Sequence, residues 1–406
     1  MVKRIGVIGG GAAGFFAAAN IASACPECRV TLLEKSTQLL AKVRISGGGR
    51  CNVTHACFDN NLLVSQYPRG EKELKSAFSK FSPTNTIKWF ESYGVKLKIE
   101  TDGRMFPITD TSETIIDCLL KATEENGVKI CKSINVKKIE IIDDVFLVSD
   151  NEKALFQFDV LLLATGGNTN GYLINWLNNI GHTLIPPVPS LFTFNIPDPS
   201  LRKLMGLSLK NARVSIDGTK LREEGPVLIT HWGLSGPAIL KVSAWGARIL
   251  FDLNYKFRLK INWLNLDNKQ IYDELILIRN SNSKMQIGTK GQFEIPLRMW
   301  LYFLEKAAIN PEFKWADVTN KLLSALSILL SDDVYHVNGK TTFKEEFVTC
   351  GGVKLNEVDF KTMESKKLKG VYFAGELLDI DGITGGYNFQ NAWTTGWIAA
   401  QAISNS

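Results

Sequence analysis

Apolar positions along this chain follow two rhythms. Short apolar runs bounded by glycine or charge, "RIGVI" (4–8), "RVTLL" (29–33), "DVLLLA" (159–164) and "GVYFA" (370–374), have the length of buried strands. The first two flank "AAGFFAAANIASA", an Ala-rich segment that predicts a helix, so the amino-terminal fifty residues read strand, helix, strand. From 191 to 260 the pattern changes to alternating β-branched and polar residues, as in "LKNARVSIDGTKL" and "GPVLITHWGL", which predicts antiparallel strands. Across 262 to 331 apolar residues recur three and four apart in "NKQIYDELILIRN", "PLRMWLYFLEKAA" and "WADVTNKLLSALSILLS", a helical spacing, with "NSNSK" (280–284) as a loop. The Pro-rich "IPPVPS" (185–190) breaks the first pattern, which resumes near "FVTCGG" at about 347.

Composition adds limits. A chain of 406 residues with 45% hydrophobic and 22% charged residues has the makeup of an ordinary globular protein of two or three domains. Its net charge of +6 is small and contains no Lys/Arg block, so it does not argue for a nucleic-acid surface and mildly favours an anionic ligand. Seven cysteines without a repeating framework suggest reduced thiols and a cytoplasmic setting. The chain turns glycine-rich too early for a signal-peptide core, and no run approaches the roughly 18 apolar residues of a membrane span, so no membrane partner is expected.

The first candidate chemistry is a dinucleotide site. Gly9, Gly11 and Gly14 stand in G-x-G-x-x-G spacing between a strand and a helix, and Glu34 ends the next strand. That context is what the fingerprint requires: a tight turn, backbone close to a pyrophosphate, close helix–strand packing, and an acidic residue for the adenosine ribose. The motif alone does not separate NAD from FAD. Two later segments bear on that choice: the strand Val160 to Ala164 running into Thr165, Gly166 and Gly167, and a Gly/Asp-rich loop leading to a helix from Tyr387 with bare Gly385 and Gly386 before it. A helix amino terminus suits negative charge developing on a reduced flavin.

Together these segments resemble the two-dinucleotide-binding flavoproteins. The blocks "ISGGGRCNVT", "GRMFPITDTSETI", "THWGLSGPAIL" and the long stretch from "VTCGGVKLNEVDF" to "GGYNFQNAW" sharpen this to the BaiN/aminoacetone-oxidase family of bacterial three-domain flavoproteins, with blocks running from Ile5 to Trp393. The resemblance implies an α/β fold in which a Rossmann-like FAD domain (1–190 and 346–406) carries an inserted antiparallel β-barrel (191–261 with 332–345) and a small helical insert (262–331). It implies FAD contacts from Gly9, Gly11, Ala12, Ala13, Gly14, Glu34, Lys35, Lys42, Ser46, Gly47, Gly48, Gly49, Arg50, Asn52 and Val136. Ala164, Thr165, Gly166, Gly167, Gly375, Glu376, Asp379, Gly385, Gly386, Tyr387 and Asn388 complete the expected set. Gly47 to Gly49 would admit the pyrophosphate and ring, with Arg50 and Asn52 as polar tips. Where the family usually reads basic-Lys-Leu before this loop, the chain has Lys42, Val43 and Arg44, which leaves open which cation meets the phosphates.

Flavin N5 would carry the hydride, so catalytic side chains can be few. There is no second fingerprint, and NAD(P)H would bind only transiently as an electron donor. His231 in "THWGLSGP" and Arg50 are the catalytic candidates; Thr230, His231, Ser235 and Arg104 are the substrate candidates. Thr230 and Ser235 can equally cap the following helix, "GPAILKVSAWGAR", and Arg104 can equally be a surface ion-pair partner. His55, His182 and His336 lack motif context and read as structural. Cys51 and Cys57 are separated by five residues, one more than in flavin disulfide reductases. Cys25 and Cys28 form a lone C-x-x-C read as structural thiols, and no metal motif is present. The expectation is an FAD-dependent oxidoreductase acting on a small or medium organic substrate, by amine oxidation or C=C reduction. The alternative is a flavin-binding redox accessory or sensor with a macromolecular partner at the Trp-rich, basic stretch 241–265. Oligomeric state is not legible.

Overall fold

The short apolar runs become the parallel core of one sheet. In a computed structural model describing residues 2–150, 153–167, 171–341 and 348–406, strand β1 (Arg4–Ile8) is flanked by β2 (Arg29–Leu33) and β4 (Val160–Leu163), all parallel. Strand β3 (Lys129–Cys131) extends the β2 side and β5 (Val371–Phe373) the β4 side, also parallel. Two short antiparallel strands, Val358–Asp359 and Glu364–Ser365, finish the β5 edge. Val7 pairs in register with Leu32 and Leu162, and all three are buried, which is why these runs are apolar on both faces.

Helix α1 (Ala12–Ala24) packs against the carboxyl-terminal helix α2 (Tyr387–Ser404). The contact is close because small residues meet there: a Cβ on Gly396 would lie 3.1 Å from the Ala13 carbonyl oxygen. Phe16, Phe81, Trp89 and Trp393 fill the space beside it, with Phe16 and Trp393 ring centroids 5.2 Å apart.

The Pro-rich stretch read as a break is instead a strand. Leu184–Ser190 pairs antiparallel with Val348–Val353, so the chain leaves this unit and returns to it along neighbouring strands. Prolines are tolerated in an edge pairing of this kind because few of their missing N–H groups are needed. The expected return boundary at 345/346 and Phe347 of "FVTCGG" lie outside the described residues, as do Asn168 and Thr169 after the "ATGG" turn.

The chain divides into two compact units, Leu191–Thr342 forming one and the flanking segments the other. The inserted unit holds a seven-stranded antiparallel sheet. Its two end strands, Asp333–Asn338 and Lys340–Thr341, run into each other at Gly339, whose N–H and C=O bond Tyr255 and Asn195, so the sheet closes on itself as a barrel. Helices Asn268–Ser281, Leu297–Lys306 and Asn320–Ser331 appear where the three-and-four spacing placed them. One hydrophobic core runs through barrel and helices, from Phe194 and Val214 to Trp300 and Leu326.

Candidate functional site

The first glycine cluster builds an open cleft at the carboxyl ends of β1 and β2. Gly9 takes φ +116° and its N–H donates to the Leu33 carbonyl at 2.8 Å. Gly14 has no room for a side chain, since a Cβ would collide with the Gly9 carbonyl. Helix α1 begins at Ala12 with Gly11 as its cap, and no side chain satisfies the first N–H groups of Ala12 and Ala13. Glu34 receives the Gly10 N–H on one oxygen at 2.7 Å and the Ser36 N–H on the other at 2.8 Å. Its carboxylate is thereby fixed while lone pairs stay available. The cleft is lined by Gly9, Glu34, Lys35, Val136 and Thr165, five of the positions expected to hold a cofactor.

The second glycine cluster is a left-handed turn. Gly47, Gly48 and Gly49 have φ of +58°, +70° and +83°, values that a side chain would strain, and nothing lies within 4 Å of a Cβ on Gly48 or Gly49. Ser46 closes the preceding helical turn by donating to the Val43 carbonyl at 2.9 Å. Beside it, Gly385 and Gly386 carry φ of +128° and +95° immediately before α2.

Several expected tips turn out to be braces. Asn52 is buried; with its amide oriented so that Oδ1 faces the Gly386 N–H at 3.0 Å, its Nδ2 donates to the Thr54 carbonyl at 3.0 Å. It therefore caps α2 rather than projecting to a ligand, and leaves the N–H groups after Gly386 for one. Asn388 closes its own loop, accepting from the Gly382 N–H and donating to the Gly382 carbonyl, both at 2.9 Å. Arg50 bonds Glu100 at 2.7 Å, lies 3.5 Å from Asp110 and stacks 4.0 Å above the Phe106 ring; Arg104 shares Glu100 and also bonds Asp102 at 2.7 Å. Both arginines are thus partly neutralised by carboxylates.

The remaining predicted positions sit on the same unit. Ala164 continues β4, its N–H donating to the Ile8 carbonyl at 2.8 Å, and Gly166 follows with φ +74°. A Cβ on Gly167 would come within 3.0 Å of Glu376 Oε1. Glu376 also receives the Thr349 N–H at 2.7 Å and the Lys42 ammonium at 2.5 Å, which places Lys42, not Arg44, on the cleft-side carboxylate. Arg44 instead pairs with Glu113. Gly375 packs against Ala13, and the Asp379 N–H donates to the Val353 carbonyl at 3.1 Å.

In the inserted unit, His231 is exposed, its ring centroid 3.9 Å from that of Trp232. The Thr230 N–H and hydroxyl both donate to the Gly233 carbonyl, at 2.8 and 3.1 Å, so Thr230 closes a turn. Ser235 lies in a strand paired with Leu228, and the following helix is capped by Gly236 at φ +97°, so Ser235 is not its cap.

The thiols also separate. Cys51 is fully buried, its thiol pushed up to about 12 by burial, and neither Cys51 nor Cys57 is bonded to another cysteine. Cys25 and Cys28, expected as reduced thiols, form a disulfide: α1 ends at Cys25 and the Pro26–Glu27 reversal brings their Cα atoms to 5.4 Å, within disulfide reach. No group of His, Cys, Asp and Glu suited to a metal occurs among the described residues. No helix among them is long and apolar enough to cross a membrane.

His55 lacks motif context in sequence, yet its ring stacks on Tyr387 at 4.7 Å and its Nδ1 is 3.0 Å from the Gly385 carbonyl. Its position three residues after Asn52, in the same loop, was the available signal. Asn391 had none: it is buried in α2 and its Oδ1 has no partner among the described residues.

A ready-made cleft beside Gly9 and Glu34, an uncapped helix amino terminus and a bare left-handed turn fit an adenine dinucleotide with an extended ring system. The chain covers 98% of its own length against the ribosomal RNA dihydrouridine synthase of Escherichia coli K12 at 30% identity, spanning 97% of that protein. It is 26% identical to the 3-dehydro-bile acid delta(4,6)-reductase of Clostridium scindens over 99% of both chains. Among solved structures, the 3-ketosteroid delta1-dehydrogenase of Sterolibacterium denitrificans superposes with a TM-score of 0.51 at 13% identity, each chain covered fully, a likeness of fold alone. The model of the HI0933-like protein Rossmann domain matches residues 3–402, and the chain therefore belongs to that family.

Proposed function

We propose that the chain is an FAD-dependent oxidoreductase that works as a reductase, delivering a hydride from flavin N5 to a carbon–carbon double bond conjugated with a carbonyl. Bound FAD supplies the hydride chemistry. The observation that carries the reading is the bare-backbone cradle: the Gly9–Glu34 cleft, the Gly47–Gly49 turn and the Gly385–Gly386 start of α2 on one unit. In this reading Glu34 accepts hydrogen bonds from the adenosine ribose, the amino terminus of α1 takes the pyrophosphate, and Lys42 and Glu376 border the sugar-alcohol chain. The N–H groups that follow Gly386 in α2 stabilise negative charge where the ring system is reduced.

Of the two directions expected from sequence, amine oxidation and C=C reduction, the relatives' names support reduction. Dihydrouridine is uridine with its conjugated double bond saturated, and a delta(4,6)-reductase of a 3-dehydro steroid does the same to a dienone. Uridine in ribosomal RNA is the first substrate to test, because relatives at 30% and 29% identity over 98% of the chain carry the name ribosomal RNA dihydrouridine synthase. A polycyclic enone is the second reading, favoured by the Clostridium relative.

The test is to reduce the purified flavoprotein anaerobically with NADPH, then add either a ribosomal RNA transcript or a 4,6-dien-3-one steroid. Reoxidation of the flavin bands with dihydrouridine in the digested RNA supports the first substrate; reoxidation by the steroid alone supports the second. Flavin that both compounds leave reduced would remove the C=C assignment.

A further inference from the structure

The disulfide between Cys25 and Cys28 lies at the carboxyl end of α1, the helix whose amino terminus forms the pyrophosphate cradle. We propose that this Cys-Pro-Glu-Cys pair is a thiol–disulfide exchange site for dithiol reductants, and that its state sets how firmly α1 and β2 hold the dinucleotide. Three observations carry the inference.

The two sulfurs are unequal. Cys25 is 5% exposed, whereas Cys28 is partly exposed and Pro26 and Glu27 stand out on the rim. An incoming thiolate therefore reaches the Cys28 sulfur and expels Cys25. That leaving thiolate forms at the negative end of a helix, where it is disfavoured, so a monothiol adduct tends to reverse. A dithiol resolves the mixed disulfide internally. The exchange balances: R(SH)₂ and the Cys25–Cys28 disulfide give cyclic RS₂ and two protein thiols, the dithiol losing two electrons and two protons.

The link also closes a structural joint. The Cys25 N–H donates to the Ile21 carbonyl at 2.9 Å, the Cys28 N–H to the Cys25 carbonyl at 3.0 Å, and the Arg29 N–H to the Lys3 carbonyl at 2.9 Å. Five residues after Arg29 the chain reaches Glu34, so the disulfide fixes the reversal between the helix that follows Gly9 and the strand that ends on the cleft at Leu33 and Glu34. Finally, few thiols compete: Cys51, Cys118 and Cys350 are buried, leaving Cys57 and Cys131 partly exposed.

The experiment uses the full-length FAD-loaded protein. It is incubated without oxygen in dithiothreitol or in glutathione, freed of reductant, and a portion is unfolded in guanidinium, labelled with a maleimide and weighed intact. Dithiothreitol is expected to add two labels over untreated protein and glutathione none. Loss of the cross-link is expected to lower the melting temperature by about 2–4 °C and to raise the Kd for FAD severalfold, read by flavin fluorescence. The double variant Cys25→Ser/Cys28→Ser should match the reduced protein in both and ignore dithiothreitol. Failure to gain label in dithiothreitol, or gain of label with melting and FAD affinity unchanged, overturns the proposal.

Discussion

The Thr54 hydroxyl donates to Gln390 Oε1 at 2.6 Å, fully buried, and so ties the strand after the glycine turn to the first turn of α2. The same oxygen receives the Thr86 hydroxyl at 2.9 Å, and Gln390 Nε2 donates to Thr394 at 3.0 Å. Trp393 adds a bond from Nε1 to the Val53 carbonyl at 2.9 Å. The turn of Gly47–Gly49 and the start of α2 are therefore held by one buried polar network rather than by apolar contact alone. Replacing Gln390 with Met strands two hydroxyls and should cost about 2–5 kcal/mol, whereas Thr54→Val should cost about 1 kcal/mol. Urea unfolding followed by tryptophan fluorescence measures both.

The dinucleotide cleft gives a second expectation. Gly14→Val places atoms against the Gly9 carbonyl, and the protein should purify without flavin colour although its far-ultraviolet circular dichroism is kept. Glu34→Ala removes the acceptor expected for the ribose and frees the Gly10 and Ser36 N–H groups. FAD affinity should fall about tenfold to a hundredfold, roughly 1.4–2.8 kcal/mol, as read by fluorescence titration.

Asp381 is fully buried and accepts from Arg69 through two guanidinium nitrogens and from the Ser190 hydroxyl at 2.6 Å. Burial pushes its carboxyl above the ordinary value, and Arg69 opposes the shift. Removing one partner strands a buried charge, so Arg69→Met should destabilise by about 3–5 kcal/mol, and the pair Arg69→Met/Asp381→Leu by less. A double-mutant cycle in urea decides it; equal losses for the single and double variants would contradict the role assigned to the pair.

His182 supplies the pH dependence. The Ser365 hydroxyl accepts the Lys367 and Leu368 N–H groups and so gives its own proton to His182 Nε2 at 2.7 Å, leaving Nδ1–H to donate to Glu357 at 3.2 Å. Burial lowers the pKa of His182 below its ordinary 6.5, the Glu357 carboxylate only partly offsetting it. Burial also acts to raise Glu357, but the Thr183 N–H and hydroxyl and His182 outweigh it, so its pKa is lowered. The unfolded chain then binds more protons than the folded one below about pH 6.5 for the histidine and below about pH 4.5 for the glutamate. Stability should be full above pH 6.5 and fall on acidification. His182→Gln should flatten the decline that begins below about pH 6.5, measured as melting temperature against pH; an unchanged slope would exclude His182 as its source.

The strand–helix–strand start, the fingerprint and the helical spacing of 262–331 were legible in sequence because each depends on local period and on glycine at fixed offsets. The family blocks told the same story at longer range. What sequence could not show was which polar residues brace the site and which face it. Asn52 and Asn388 carry side chains that suit a ligand as well as a backbone N–H, and only the approach of Gly386 and of Gly382 commits them to the backbone. Arg50 reads as a polar tip and Arg104 as either a substrate contact or an ion-pair partner until the strands Leu97–Ile99 and Arg104–Pro107 bring Glu100 between them. The Pro-rich 185–190 looks like a linker because its pairing partner lies more than 150 residues away. Sequence by itself determined the elements and the cofactor class, since those rest on short-range backbone requirements; tertiary structure alone decided the roles of individual polar side chains, since a hydrogen-bonding group takes its role from whichever partner the fold brings within about 3 Å.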